Sequence, residues 1–185
     1  MNFFFGKKED KNKTLIEQTI LQNYDQYYRL AYQYTHNETD AYDIVQNGAC
    51  NAIKGSHTLK QPEYVKTWVY RIMLNECFRF LRQPKHFSYD DITYENEAVV
   101  GSTEDCYANI DLQKAIDALP DRDKAIVVLR YFEDKKLEEV ADILGESVNT
   151  IKSRLYRCMK KMRETLSDEQ QNGMHSKHRN GQVMI

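Results

Sequence analysis

Proline and glycine are scarce, with 3 and 7 residues in a chain of 185. An all-β fold built from tight turns needs more of both, so their shortage excludes that class and favours helices. Long apolar runs are missing as well. The opening stretch from Met1 to Phe5 is broken at once by Gly6-Lys7-Lys8-Glu9-Asp10, too soon for a signal peptide or a membrane span. A cytoplasmic protein without direct membrane insertion is expected. Cysteines are few and widely separated, at Cys50, Cys77, Cys106 and Cys158. That spacing excludes the close pairs of zinc and redox motifs and predicts buried thiols. His175 and His178 have no further ligand cluster, so no metal and no cofactor are expected. Excess positive charge is also absent. With a net charge of −2 the chain cannot coat nucleic acid by bulk attraction, and any DNA binding must come from local patches.

What is present is helical periodicity, from about Leu15 to Leu81 and again from about Leu112 to Leu166. Between them, His86 to Ile110 contains no Lys or Arg but carries Asp90, Asp91, Glu95, Glu97, Glu104 and Asp105. The pattern predicts an all-α protein of two small helical domains, 14–83 and 111–167, joined by a flexible acidic linker over 84–110 and followed by a flexible tail over 168–185. The pair Asp90-Asp91 raises a metal-dependent nuclease as a rival reading. Its acids lie in the least structured segment, so no catalytic residue is expected.

In the second domain Leu137, Val140, Ala141 and Leu144 repeat at helical spacing and stop at Gly145, the residue suited to a left-handed helix end. Ser147 or Asn149 can cap a second helix whose apolar stripe is Val148, Ile151, Leu155, Met162 and Leu166. Two helices joined by a short turn containing Gly form a helix-turn-helix, which sets its second helix in the major groove. From Ser147 to Arg163 that helix carries Lys152, Arg154, Arg157, Lys160, Lys161 and Arg163 and no acid. Asn149, Thr150, Lys152, Ser153 and Arg154 stand at its N-terminal end, where such helices meet base edges.

The first domain offers a different surface. Tyr64, Trp68, Arg71, Asn75, Arg79 and Arg82 fall within about an 80° sector of one helix. Val65, Val69, Ile72, Met73, Cys77, Phe80 and Leu81 make its apolar side. Rings that stack on bases, with guanidinium groups that hold phosphates, suit an opened strand, at roughly 1 to 3 kcal/mol per stacked base. Taken alone, Trp68 reads more readily as core, packed against a neighbouring helix, than as a ligand-stacking ring. Ahead of this helix, Lys54 to Pro62 holds Gly55, Ser56, His57 and Thr58, a polar loop able to form a pocket. Further upstream, Asp40 and Asp43 line one side of a helix. Taken alone they read as a solvated acidic ridge.

Together these segments resemble the extracytoplasmic-function group of bacterial sigma factors, over about residues 15 to 166. The first block is carried by Asp40-Ala41-x-Asp43-Ile44-Val45-Gln46 and Lys66-Thr67-Trp68-Val69-Tyr70-Arg71-Ile72, continued by Asn75 and Arg79. The second is carried by Leu119-Pro120, Leu129-Arg130-Tyr131-Phe132, Leu137 to Gly145, and Asn149-Thr150-Ile151-Lys152-Ser153-Arg154-Leu155. The resemblance implies a sigma factor that binds core RNA polymerase and directs promoter-specific initiation, with no small-molecule substrate. Asp40, Asp43 and Gln46 would dock on the beta-prime coiled coil, and the beta flap would be a second polymerase contact. His57, Thr58, Trp68, Arg71, Asn75 and Arg79 would read and open the minus-ten element. Asn149, Thr150, Lys152, Ser153, Arg154 and Arg157 would read the minus-thirty-five element. An anti-sigma factor is an implied partner, and the acidic linker would enter the polymerase channel.

Two departures from the family pattern stand out. Asn47-Gly48-Ala49-Cys50 follows Gln46 where an acid and a bulky residue are usual, which puts helix stability and core contact there in question. Lys124 replaces the usual Arg after Leu-Pro, which weakens a planar, bidentate contact. The competing function is a free-standing helix-turn-helix regulator, but no ligand or phosphoacceptor domain is visible in the first half.

Overall fold

The computed structural model describes residues 3–83 and 103–179, and every regular element among them is helical. Most of the expected acidic linker, residues 84–102, lies outside the described residues. The described chain forms two compact units that do not follow the sequence blocks. One joins the residues up to Gln83 with Ala125–Lys152, and the other takes the described residues from Thr103 to Lys124 and from Ser153 onward.

The first unit begins with α1 (Phe3–Gln22), α2 (Tyr24–Thr35), α3 (Glu38–Lys54) and α4 (Val65–Arg82). His36 ends α2 in the left-handed region, at φ 52°, with its N–H on the Tyr32 carbonyl. Asn37 then caps α3, its Oδ1 accepting from the Asp40 amide at 3.0 Å, while Glu38 and Asp40 complement the positive end of the helix dipole. Helix α4 stops at Arg82 because Gln83 precedes Pro84 and takes an extended conformation. Ile16, Leu30, Val45, Val69, Met73 and Leu74 are almost wholly buried. Each large apolar side chain removed from water in this way contributes roughly 1.5 to 3 kcal/mol. Tyr27 and Tyr70 meet edge to face, with ring centroids 5.0 Å apart.

Gly48 removes the doubt raised by Asn47-Gly48-Ala49-Cys50. Helix α3 runs through it unbroken, and Gly48 is buried where a Cβ would overlap the Met73 sulfur. The missing side chain is what lets α3 and α4 approach there. The buried face of α4 is also shifted from the expected one. Tyr70, Leu74, Glu76 and Phe78 are buried, while Ile72, Phe80 and Leu81 are only partly so.

The rest of this unit starts with five consecutive buried residues, Ala125 to Leu129. They lead from α6 (Asp121–Val127) into a π turn over Val128–Phe132. After Asp134, at φ 47°, comes α7 (Leu137–Leu144), whose first turn is closed by Glu139 accepting from the Lys136 amide at 2.8 Å. In the second unit, α5 (Thr103–Asp117), the turn after it and the body of α8 (Val148–Arg179) contribute Ala115, Ile116, Leu119, Cys158 and Met162 as buried apolar side chains.

Three sequence expectations change. Helix α5 opens at Thr103, inside the range read as linker, and α8 runs on to Arg179 through the range read as a loose tail. Propagating an existing helix through Gln170, Gln171 and neighbouring residues costs little, since no Pro intervenes. Of the cysteines expected to be buried, Cys77 and Cys158 are and Cys50 is exposed, because it lies on the outer side of α3. The side chain of Cys106 lies outside those described.

Candidate nucleic-acid interface

The turn of the helix-turn-helix is set by backbone chemistry. Gly145 ends α7 at φ 69° and ψ 35°, its N–H donating to the Ala141 carbonyl at 2.8 Å. A Cβ there would meet nothing within 4 Å, so the glycine serves conformation rather than space. Of the two candidate caps for α8 the structure selects Ser147, whose Oγ accepts from the Thr150 amide at 3.1 Å and lies 2.8 Å from the Thr150 hydroxyl. Ala141 and Ile151 are buried on either side of the turn.

This seating exposes Asn149, Thr150 and Lys152 on the first turn of α8. In the second unit Ser153 and Arg157 are likewise exposed. Arg154 differs from them. Its Nε donates to Asp123 Oδ1 at 2.8 Å, and only 16% of its side chain is exposed. Tyr156, which sequence reasoning passed over, is 74% exposed one helical step from Arg157. An unpaired aromatic between basic positions was the available signal. Lys124 is buried with Nζ 2.6 Å from Asp117 Oδ1, so at this position a point charge suffices and no bidentate fork is needed.

In the first unit the loop before α4 is built around a residue that sequence reasoning missed. Asn12, buried in α1, donates from Nδ2 to the carbonyls of Ser56 at 3.2 Å and Leu59 at 3.0 Å. Its one hint was a poor helix former within a helix. The loop makes a 3₁₀ turn over Ser56–Thr58, Ser56 and Leu59 face inward, and His57 and Thr58 are exposed. Trp68 is neither core nor free surface. Half-buried, it lies with ring carbons 3.6 and 3.7 Å from where a Cβ on Gly55 would stand, so the indole backs the loop.

Along α4, Asn75 is exposed, whereas two arginines of the same face already have partners. Arg71 Nε donates to the carbonyls of Asp142 at 3.0 Å and Ile143 at 3.1 Å. Arg79 Nη2 is 2.5 Å from Glu76 Oε2, and buried Glu76 also accepts from Asn51 Nδ2 at 2.8 Å. Arg79, Glu76, Asp40, Asp43 and Asn47 line one shallow groove. The structure thus sets Arg79 beside the acidic ridge. On that ridge Asp43 and Gln46 are exposed and Asp40 is partly so.

Beneath these surfaces lies a buried carboxylate. Glu133 Oε1 is 3.4 Å from Arg29 Nε, and Oε2 is 3.4 Å from the Tyr70 hydroxyl, which donates to Gln26 Oε1 at 2.7 Å. Burial pushes the Glu133 carboxyl above the usual range, while Arg29 and Lys135 pull the other way.

No described helix is long and apolar enough to cross a membrane. Residues 19–86 match the family description Sigma-70 region 2, and residues 109–162 match Sigma-70, region 4. RNA polymerase sigma factor SigV of Bacillus subtilis is 43% identical over 164 residues, covering 88% of this chain and 98% of its own. ECF RNA polymerase sigma factor SigW of the same organism is 28% identical, covering 78% and 84%. Two solved structures share the fold. CnrH in complex with the cytosolic domain of CnrY has a TM-score of 0.64 at 18% identity, covering 89% of this chain and 95% of that one. The sigma factor RpoE in complex with the anti-sigma factor NepR from Bartonella quintana has a TM-score of 0.60 at 23% identity, covering 82% and 96%. Both sequence blocks and their order therefore identify the chain as a member of the extracytoplasmic-function sigma factors, which direct promoter-specific initiation of transcription.

Proposed function

We propose that this sigma factor divides promoter recognition between two surfaces. The exposed residues Asn149, Thr150, Lys152, Ser153 and Arg157 read the minus-thirty-five duplex from the major groove, with Arg154 fixing the pose of their helix through Asp123. The loop residues His57 and Thr58, backed by Trp68, take a base extruded from the minus-ten element, and Arg71 and Asn75 hold the opened strand. Arg79 braces Glu76 and the neighbouring ridge. Asp40, Asp43 and Gln46 dock on the beta-prime coiled coil of core RNA polymerase, with the beta flap as a second contact. An anti-sigma factor is the expected inhibitor, as the sigma factor RpoE is found in complex with the anti-sigma factor NepR.

The observation that carries this reading is the Ser147-capped start of α8, which turns an acid-free row of donors and acceptors to solvent immediately after the Gly145 turn. A stacked or extruded base is worth a few kcal/mol, comparable to the cost of removing it from duplex. The mild negative charge of the chain accounts for the need for polymerase, which supplies the remaining interface.

Run-off transcription with purified core polymerase on a genomic fragment pool tests the proposal. Weak promoter binding by the chain alone and specific transcripts with core enzyme are expected. Tight sequence-specific duplex binding without polymerase, and no transcript with it, would instead favour a free-standing regulator.

A further inference from the structure

The loop proposed to take the extruded base is gripped from behind, and one grip comes from outside the block that carries the family pattern. At the start of the loop Gly55 donates its N–H to the Asn51 carbonyl of α3 at 2.9 Å. Behind Gly55 stands the Trp68 indole. The remaining grip is Asn12 on α1, ahead of residues 19–86, which match Sigma-70 region 2.

Asn12 is 5% exposed, and its amide is aimed at the backbone of the loop. Nδ2 carries two hydrogens and meets two acceptors, the carbonyls of Ser56 at 3.2 Å and Leu59 at 3.0 Å. Those carbonyls flank the turn that presents His57 and Thr58 to solvent. The Ser56 carbonyl also closes the turn, accepting from the Leu59 N–H at 3.2 Å. Ser56 and Leu59 are each 3% exposed, so water is a poor substitute for the amide. A single donor group on both ends of a turn fixes its curvature. A buried asparagine is a weak helix former and costs solvation, and its hydrogen bonds to the loop are what offset that cost.

The order of the loop matters for choosing a base. A loop that must be ordered by its ligand loses affinity, and one that adapts its shape accepts the wrong ligand more easily. We propose that Asn12 is a positioning residue for base selection: by clamping Ser56 and Leu59 it holds the His57–Thr58 turn in the shape that distinguishes the extruded base of the minus-ten element. It touches no DNA and acts through the loop. This role rests on the reading of His57 and Thr58 as the residues that take the base.

The test uses holoenzyme assembled from core polymerase and the full chain, on the genomic fragment pool, with transcripts sequenced to give base frequencies at minus ten and minus thirty-five. His57→Ala and Thr58→Ala identify the extruded position as the one whose preference they erase. Asn12→Leu keeps the volume and removes both donors. Asn12→Asp keeps the shape but sets a carboxylate against carbonyl oxygens. Both Asn12 variants are expected to lose about tenfold in preference at the extruded position, with faster hydrogen exchange over residues 55–61. Minus-thirty-five preference and helicity by circular dichroism should hold. Acidification from about pH 8.5 to about pH 6.5 should restore part of the preference in Asn12→Asp, because burial raises its carboxyl and the neutral form donates a hydrogen bond. Every other titratable group is shared with the wild type, so the ratio to wild type isolates position 12. Asn12→Leu should show no recovery.

A merely structural Asn12 would lower stability in both variants and leave base ratios and the pH profile as in the wild type. That result overturns the positioning role and keeps the loop as reader. Intact minus-ten preferences in His57→Ala and Thr58→Ala would remove the loop as reader, and the role of Asn12 with it. If Asn12→Leu fails to fold, the profile of Asn12→Asp decides: recovery on acidification supports the role, and a profile parallel to wild type overturns it.

Discussion

Arg154 Nε lies 2.8 Å from Asp123 Oδ1, and this pair ties the DNA-facing helix α8 to α6. Partial burial, with the side chains 16% and 27% exposed, places it between a surface pair of little worth and a buried pair whose rupture costs several kcal/mol. Arg154→Ala is expected to destabilise the chain by about 1 to 2 kcal/mol, read from urea unfolding. Arg157→Ala should leave stability unchanged while weakening promoter binding by the polymerase complex. A fully stable Arg154→Ala chain with altered minus-thirty-five preference would return Arg154 to the base-reading row.

Gly48 makes a second prediction in which two effects oppose. In an isolated helix Gly48→Ala would gain about 1 kcal/mol from propensity. Here the new methyl group overlaps the buried Met73 sulfur, and overpacking costs about 1 to 3 kcal/mol. The net expectation is a loss of about 1 kcal/mol. A double-mutant cycle with Met73→Ala should show favourable coupling, since the smaller side chain makes room. A simple stabilisation by Gly48→Ala would refute the close α3–α4 approach.

Thiol chemistry should separate the cysteines. Burial, and secondarily the Asp123 carboxylate, pushes the Cys158 thiol up to about 11. At pH 8 about one molecule in a thousand then carries the thiolate, the reactive form. Mass spectrometry after brief alkylation of the native protein should find Cys50 modified and Cys77 and Cys158 untouched, with all three reacting in urea. Rapid native labelling of Cys158 would contradict its burial.

Glu133 sets the sign of a pH effect. Its carboxyl is raised chiefly by burial, with Arg29 and Lys135 opposing, so the native state holds the proton more tightly than the unfolded chain. Stability from this group is therefore full below the ordinary carboxylate range and declines as pH rises toward the raised native value. Glu133→Gln should flatten the urea-midpoint profile from the ordinary carboxylate range upward. Parallel profiles for the two proteins would remove Glu133 as the titrating group.

The helix-turn-helix was legible in the sequence because its signals are local. Gly145 supplies a left-handed backbone, and the spacing of Val140, Ala141 and Ile151 marks the apolar sides. The acid-free run after Ser147 shows which face stays in water. The aromatic and basic sector of α4 was legible for the same reason, since a helix maps sequence spacing directly onto a face. The cap of α8 was narrowed only to two residues, because Ser147 and Asn149 are both good caps and the choice depends on where the chain turns.

Contacts between distant segments left no such trace. Nothing in the spacing of Arg71 and Asp142 joins them, nor links Asn12 to the loop at Ser56 and Leu59. Gly48 reads as a weak point in a helix until Met73 is seen packed upon it. By itself the sequence determined that the chain is helical, the turn at Gly145 and the polar row that follows it, since propensity, capping and periodicity act over a few residues, but not where α5 begins or α8 ends. Only the tertiary structure decided which exposed-looking arginines are engaged, because a guanidinium's partner is set by the carbonyls and carboxylates that folding brings within reach.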